Sequence, residues 1–294
     1  LYLKAKAFNP AVRLTETRLV CADIHMLNGN HLGDFLKVAG LEKRPIYGRI
    51  LKAMQQRLKD SNQLGSLLRM EVEIRELIDK EKTLYEKDGR QPDLFGWSKE
   101  QFESEAGSNE FWEILEIQII QALDAFAREQ AEKGLDQSFF SGETTKGLRL
   151  LELMNQRYDV VITNPPYMTA RNMNNVLKGY VQSEYPAAKG DLYAAFIERC
   201  TEWLMDQSRL GMVTQQSFMF ISSYEKLREK LRKQVAIETI PHVGPRAFQE
   251  VSGEKVNTTL LVLRKEPHEQ ARNESVGTYF RLVKQPDAES KRER

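Results

Sequence analysis

The residues with the clearest chemical potential form an Asn-Pro-Pro-Tyr motif that follows the apolar run DVVIT. Neither Pro165 nor Pro166 has an amide hydrogen, and each disfavours helical geometry in the residue before it. The chain therefore leaves the predicted strand in a rigid, extended conformation, and its carbonyl groups are free to accept hydrogen bonds. Asn164 adds a side-chain oxygen, and Tyr167 adds a flat aromatic ring.

This motif is predicted to lie where α/β proteins bind ligands. In open α/β sheets the binding crevice is at the carboxyl ends of the strands. The oxygen of Asn164 and the carbonyl of Pro165 can each accept one hydrogen of an amino group, while Tyr167 stacks on a ring. The motif therefore suits an amino group attached to a planar ring.

The elements around the motif alternate between strand and helix. Strands are predicted at 158–163, 210–214, 237–240, 258–264 and 279–283, and helices at 192–205 and 222–234, the second with Ser222 or Ser223 as its N-cap. Such alternation predicts a mostly parallel α/β sheet. No helix separates the strands at 237–240 and 258–264, so these two are predicted to form a hairpin at one edge. The tail from Gln285 is polar and predicted to be disordered.

The first half of the chain is mainly helical in pattern. A short strand at 18–24 is followed by predicted helices at 46–87 and 110–133, with a loop between them. Their apolar stripes are typical of core, and their mixed charges are typical of solvated faces. An arm that faces DNA or a partner protein is the alternative interpretation of this block.

Composition excludes several classes of protein. The chain has 294 residues, with 43 Lys and Arg against 42 Asp and Glu, so it is not a globally basic nucleic-acid binder, although a local basic face is compatible. Its two cysteines, Cys21 and Cys200, form no disulfide framework or metal site, which favours a reducing cytoplasm. There is no signal-peptide pattern, and no apolar run approaches the roughly 20 residues of a membrane span.

The Asn-Pro-Pro-Tyr motif resembles the catalytic motif of N6-adenine DNA methyltransferases that use S-adenosylmethionine. The resemblance implies that Asn164 and the Pro165 carbonyl hold the amino group of an adenine flipped out of the duplex, and that Tyr167 stacks on this base. The stretch GDLYAAFIERC at 190–200 resembles the next motif of the family, in which Asp191 and Phe196 would flank the cofactor. A helix N-cap and a core aromatic are the alternatives for these two residues.

Three longer stretches, at 168–199, 211–233 and 242–265, resemble the large PglX-type methyltransferases of BREX phage-defence systems. This resemblance extends weakly to 18–27, where it would bring Asp23 and Ile24 to the cofactor adenine. A solvated carboxylate at a strand end is the alternative for Asp23. The resemblance implies double-stranded DNA and other phage-defence proteins as partners.

Basic residues beside the motif are the candidates for contact with DNA. The predicted loop at 168–189 carries Arg171, Lys178 and Lys189, together with Tyr180 and Tyr185, and the loop at 242–255 carries Arg246. The basic stretch at 225–233 is better explained as an amphipathic crossover helix, because Leu227 and Leu231 recur at helical spacing.

The expected fold is a Rossmann-like sheet of an S-adenosylmethionine-dependent methyltransferase, incomplete at its N-terminus and carrying a helical insertion. The predicted domains are a partial core at 1–27, the insertion at 28–150, the core with the motif at 151–266, and a terminal strand with a flexible tail at 267–294. The family's Gly-rich cofactor loop is not found, so an interior fragment of a larger enzyme is expected, with little cofactor binding and no turnover of its own.

The predicted function is adenine-specific DNA methylation in bacterial phage defence. Two alternatives stay open: the methyltransferase part of a fused restriction-modification enzyme, and a catalytically silent DNA-binding or scaffolding subunit. The intact motif from Asn164 to Tyr167 favours an active site, because a silent protein has no need of this rigid turn.

Overall fold

The computed structural model describes residues 60–69, 153–247, 257–285 and 287–292, with single positions between 11 and 150. The chain divides into two compact units, one made of Leu1–Asn62 and Met70–Leu153, the other of Gln63–Arg69 and Met154–Arg294. The predicted helix at 110–133 and, apart from one position, the predicted strand at 18–24 lie outside the described residues. Asp23 and Ile24 lie outside them as well. The four predicted domains stay a prediction.

The described strands form one five-stranded sheet in the order β1-β2-β4-β3-β5. They are β1 (Tyr158–Thr163), β2 (Leu204–Gln215), β3 (Val235–Gly244), β4 (Thr258–Lys265) and β5 (Thr278–Arg281). β1 is parallel to β2 and β3 is parallel to β5, while β4 runs antiparallel between β2 and β3. Four of these strands therefore point the same way, which confirms the α/β prediction. The predicted hairpin forms from β3 and β4, but it is not at the edge, because β5 pairs with the outer side of β3.

The described helices are α1 (Ser61–Leu64), α2 (Asn175–Glu184), α3 (Leu192–Glu202), α4 (Ser217–Phe220), α5 (Glu225–Arg232), α6 (Glu269–Glu274) and α7 (Ala288–Arg292). α3 ends before the predicted boundary because β2 begins at Leu204. None of the helices in the described part of the chain has the length and apolar character needed to cross a bilayer. In place of the disordered tail predicted from Gln285, the chain forms α7, where Lys291 is buried and its ammonium donates to the carbonyl of Pro245.

The predicted serine cap of the second crossover helix is wrong. Ser222–Tyr224 form a 3-10 turn, and Tyr224 is the N-cap of α5 without a side-chain hydrogen bond. The apolar pattern of α5 is as predicted, with Leu227 and Leu231 buried.

The core of the second unit lies on one face of the sheet. Alternate residues of β2, Leu210 and Met212, are almost fully buried and pair with Leu263 and Leu261 of β4. α3 packs against β2, and α5 packs against α3 and β3. Burying one such side chain contributes roughly 1.5–3 kcal/mol, so this layer stabilises β2, with which the strand before the motif, β1, is paired.

The predicted continuous helix at 46–87 is interrupted in its middle. Described positions on both sides are helical, but Gly65–Leu67 form a 3-10 turn, and Leu68 and Arg69 lie outside any helix. Gly65 has φ +52°, a backbone conformation that favours glycine. The break frees carbonyl groups from helical hydrogen bonding, and distant side chains use them.

Two fully buried side chains of the second unit form hydrogen bonds to the backbone where the helix is interrupted. The Arg199 guanidinium donates to the carbonyls of Ser66 (3.3 Å) and Leu68 (2.7 Å), and the Tyr185 hydroxyl donates to the carbonyl of Leu67 (2.7 Å). The backbone amide of Arg69 in turn donates to the Tyr180 hydroxyl (2.8 Å). Gln63–Arg69 therefore belongs to the second unit because its backbone is bonded there at four successive residues.

Tyr185→Phe is expected to lower the free energy of unfolding by about 1 kcal/mol, because the Leu67 carbonyl loses a buried hydrogen bond. The loss stays at this level because the Tyr180 hydroxyl, 3.3 Å away, still donates to the same carbonyl. Urea denaturation measures the change. Tyr279→Phe is the matched control, since Tyr279 is 62% exposed and its variant should unfold at the wild-type midpoint. Equal shifts for both variants would contradict the assigned bond.

Candidate active site

The Asn-Pro-Pro-Tyr motif continues from the carboxyl end of β1 as extended chain, outside any helix or strand. Pro165 is buried, Tyr167 is half-buried, and Asn164 and Pro166 are exposed. Because β1 is parallel to β2, both strands end at the same edge of the sheet. The motif is therefore anchored by one proline while Asn164 stays open to a ligand.

The ring of Tyr167 packs against Tyr193, the second residue of α3. Their centroids are 6.1 Å apart and the ring planes are nearly perpendicular, at 85°. Tyr193 is fully buried, and its hydroxyl lies 2.6 Å from the hydroxyl of Ser217, which begins α4 just after β2. Tyr193 therefore connects the segment after β1 to the segment after β2.

Asp191 joins the end of the motif to the start of α3. As the N-cap of α3, its carboxylate accepts hydrogen bonds from the amides of Tyr193 (3.4 Å) and Met168 (2.9 Å). Burial raises the pKa of this carboxyl, while the backbone amides act in the opposite direction. The N-cap alternative is thus what the structure shows for Asp191, and its contact with a cofactor stays a prediction.

Asp191→Ala is expected to destabilise the protein by about 1–2 kcal/mol, because two amides lose their acceptor. Urea denaturation measures this loss. Asp191→Asn keeps a side-chain oxygen in the same place and should lose less than half as much. If asparagine is as damaging as alanine, the negative charge and not the cap bond is what stabilises this turn.

The remaining cofactor candidates are only partly described. Phe196 is half-buried in the middle of α3. This partial exposure is compatible with contact to a cofactor and with a plain core aromatic, so both interpretations stay open. Asp23 and Ile24 lie outside the described residues, so their contact with a cofactor stays a prediction.

Two of the four basic candidates for DNA contact lie together. Thr169 and Asp191 form an antiparallel bridge, and the Ala170 amide donates to the Gly190 carbonyl (3.0 Å). This pairing brings exposed Arg171 and Lys189 to the same end of the bridge. Lys178, exposed on α2, and Arg246, exposed after β3 with φ 55°, are not part of it.

The prediction of a loop at 168–189 is wrong in part, because the segment contains α2. The N-cap Asn174 of this helix accepts from the Leu177 amide (2.9 Å), and its Leu177 and Val181 are buried. Tyr185 is fully buried, and the hydroxyls of Tyr180 and Tyr185 bond to the backbone of the Gln63–Arg69 segment. The asparagine followed by apolar residues at helical spacing is the signal that could have predicted this helix.

Sequence reasoning also missed Tyr193 and Ser217. Tyr193 lies inside the stretch that resembles the second family motif, between Asp191 and Phe196. Ser217 follows the carboxyl end of a predicted strand, where polar side chains often reach a ligand crevice. Their contact with each other could not be predicted, because 24 residues separate them.

The α/β sheet carries the motif at the carboxyl end of β1, which is the edge at which open α/β sheets bind ligands. The chain belongs to the Eco57I restriction-modification methylase family, whose sequence profile matches residues 8–248.

Named relatives agree with this family. The chain is 37% identical over 148 residues to the adenine-specific methyltransferase PglX of Lacticaseibacillus casei (strain Zhang), and 36% identical over 142 residues to the adenine-specific methyltransferase BrxX of Escherichia coli O9:H4 (strain HS). These matches cover 50% and 48% of this chain but only 12% of each relative.

Among solved structures, a class I S-adenosylmethionine-dependent methyltransferase from Listeria monocytogenes matches with 13% identity and a TM-score of 0.36, covering 90% of this chain and 97% of that one. A score this low adds nothing to the assignment, so the family rests on the sequence match.

Proposed function

We propose that this chain forms part of an adenine-specific DNA methyltransferase that transfers a methyl group from S-adenosylmethionine to N6 of an adenine flipped out of the duplex. The observation that carries the proposal is the exposed Asn164 at the carboxyl end of β1, between the strand and a buried proline. Membership of a methylase family and similarity to two relatives named as adenine-specific methyltransferases support it.

The chemistry follows from the two acceptors of the motif. The Asn164 side-chain oxygen and the Pro165 carbonyl accept the two hydrogens of the adenine amino group. This localises the nitrogen lone pair and directs it toward the methyl donor. Tyr167 holds the flipped base by stacking, for which roughly 1–3 kcal/mol per base is typical. No strong base is needed, because positioning and fixed dipoles lower the barrier.

The cofactor site is proposed from the resemblance and from one described aromatic. S-adenosylmethionine supplies the methyl group as a sulfonium when bound. Phe196 is half-buried rather than fully covered, which fits an aromatic residue that contacts the cofactor adenine. The Asp191 carboxylate already accepts hydrogen bonds from the amides of Met168 and Tyr193, so its proposed role is to fix the backbone around the cofactor rather than to contact the cofactor. Asp23 and Ile24 are proposed to complete the pocket.

The DNA duplex is proposed to meet the surface that carries Arg171 and Lys189. Both are exposed beside the motif, and cations at this place would contact the phosphates that flank the flipped base. Lys178 and Arg246 are proposed to extend this contact. The net charge of the chain is only +1, so attraction to DNA depends on this local group.

The biological context is proposed from the relatives. Phage defence in the bacterial cytoplasm, alongside other proteins of the same system, is the favoured setting. Methylation within a restriction-modification enzyme is the second candidate, because the family is described by that activity. In both settings the chemical step is the same.

Methylation of duplex DNA by the natural polypeptide that contains this chain tests the proposal. The DNA is incubated with isotopically labelled S-adenosylmethionine, digested, and analysed for methylated nucleosides by mass spectrometry. Labelled N6-methyladenine is the expected product. Label in cytosine would overturn the choice of base, and DNA binding without any label would favour the silent scaffold.

A further inference from the structure

We propose that Tyr193 is a positioning residue for Tyr167. It holds the Tyr167 ring in the orientation on which a flipped adenine stacks, and its bond to Ser217 makes this orientation depend on the segment after β2. The inference rests on the proposed function and names a contact that neither family motif predicts.

Tyr193 is itself held on several sides. It is fully buried, its hydroxyl is 2.6 Å from that of Ser217, and its ring lies 6.0 Å from the ring of Tyr224 at an angle of 55°. Desolvation raises the pKa of its phenol, so the hydroxyl stays protonated. A buried tyrosine with a satisfied hydroxyl has little freedom to move, which makes it a fixed support for a neighbouring ring.

Tyr224, the aromatic neighbour of Tyr193, is itself closely packed. A Cβ atom built at Gly190 would lie 2.9 Å from the Tyr224 hydroxyl, so backbone and ring are already in close contact there. Gly190 in turn accepts a hydrogen bond from Ala170 through its carbonyl, just after the motif. A neighbour of Tyr193 is therefore packed against the same segment that follows Tyr167.

This support acts on the stacking partner of the base. Tyr167 is only half-buried, and the perpendicular contact with Tyr193 is an arrangement that aromatic pairs prefer. Without it, the Tyr167 ring loses one of the contacts that fix its rotamer, and the incoming adenine must remove the added freedom. Removal of the Tyr193 ring should therefore raise the KM for DNA more than it lowers kcat.

Three variants of the natural polypeptide test this role. Tyr193→Leu removes the ring, and we expect kcat/KM for duplex DNA to fall about three- to tenfold, mainly through KM. Tyr193→Phe removes the hydrogen bonds that the Tyr193 hydroxyl forms with Ser217 and Tyr224, and Ser217→Ala removes the first of them alone. Each should lower kcat/KM by about two- to fivefold, and the double variant should be no worse than Tyr193→Phe alone.

A substrate with the target adenine opposite an abasic site separates positioning from general damage. Such an adenine leaves the stack more easily, so the defects of all three variants should shrink toward the wild-type rate. A damaged fold would slow both substrates equally. Because Tyr193→Phe and Ser217→Ala remove only hydroxyl groups and leave the packed rings in place, they keep the test valid if Tyr193→Leu does not fold.

A cycle with Tyr167→Ala decides through which residue Tyr193 acts. In the Tyr167→Ala background, Tyr193→Leu should have no further effect on kcat/KM. An undiminished further loss there, or unchanged kinetics of all three variants, would overturn the inference. A wild-type protein that methylates no adenine would instead overturn the proposed function, so the two failures are distinguishable.

Discussion

Replacing Asn164 with alanine is expected to lower the rate of adenine methylation by about 10²–10³-fold while the protein stays folded. The variant removes one of the two acceptors for the adenine amino group, so the lone pair is no longer held toward the methyl donor. Asn164 is exposed, and its removal leaves no cavity. Single-turnover transfer of labelled methyl groups to duplex DNA measures the effect, because it isolates chemistry from product release.

Two further variants sharpen this prediction. Asn164→Asp retains an acceptor oxygen and should keep more activity than the alanine variant. Asn273→Ala is the matched control, since Asn273 is an exposed asparagine of α6 and should methylate DNA at the wild-type rate. DNA binding should be the same for all of them. Removal of a group that stabilises the transition state lowers the rate by orders of magnitude. A methylation rate for Asn164→Ala within about twofold of wild type would therefore show that this side chain does not hold the amino group.

Replacing Arg199 with methionine is expected to lower the free energy of unfolding by about 2–6 kcal/mol, because two carbonyls each lose a donor at roughly 1–3 kcal/mol apiece. Arg199 is 1% exposed, and its guanidinium lies over the Trp203 ring at 4.4 Å. The variant leaves the Ser66 and Leu68 carbonyls without these bonds, and it removes an ion pair with Glu202, in which Nη1 and Oε2 are 3.6 Å apart. Methionine preserves much of the apolar stem, so the loss reports on the polar contacts.

Arg209→Met provides the matched control for this measurement. Arg209 also forms an ion pair, with Glu238 at 2.9 Å, but its side chain is 54% exposed. Solvent screens such a pair, and its loss should leave the denaturation midpoint unchanged. If the two variants unfold at the same urea concentration, the buried Arg199 contacts with the Gln63–Arg69 segment contribute no more to the free energy of unfolding than an exposed ion pair does.

Local sequence determined much of the sheet and of the motif. β1 spans the predicted residues 158–163, since the two prolines that follow lack the amide hydrogens to continue a strand and hold the residue before each of them out of helical geometry. The α/β alternation and the buried face of α5 follow from period alone. The residue types of Asn164, Pro165 and Tyr167 point to an amino group on a ring before any coordinates are known.

Contacts between residues that are distant in sequence changed the outcome of some of these local patterns. Apolar spacing at 46–87 predicts one helix, yet the chain breaks at Gly65 because Arg199 and Tyr185, more than a hundred residues away, bind the freed carbonyls. Tyr185, a candidate for DNA contact by its neighbours in sequence, is buried by the same contact.

The contact of Tyr167 with Tyr193 is of this kind as well. Tyr167 and Ser217 are remote in sequence, and Tyr193 contacts both of them once β1 and β2 lie side by side. Hydrogen bonds and ring contacts of this type depend on distances set by the whole fold, whereas prolines and helical periodicity act within a few residues. The residue types of the motif therefore predict a chemistry from the chain alone, whereas the groups that contact Tyr167 could not be predicted from it.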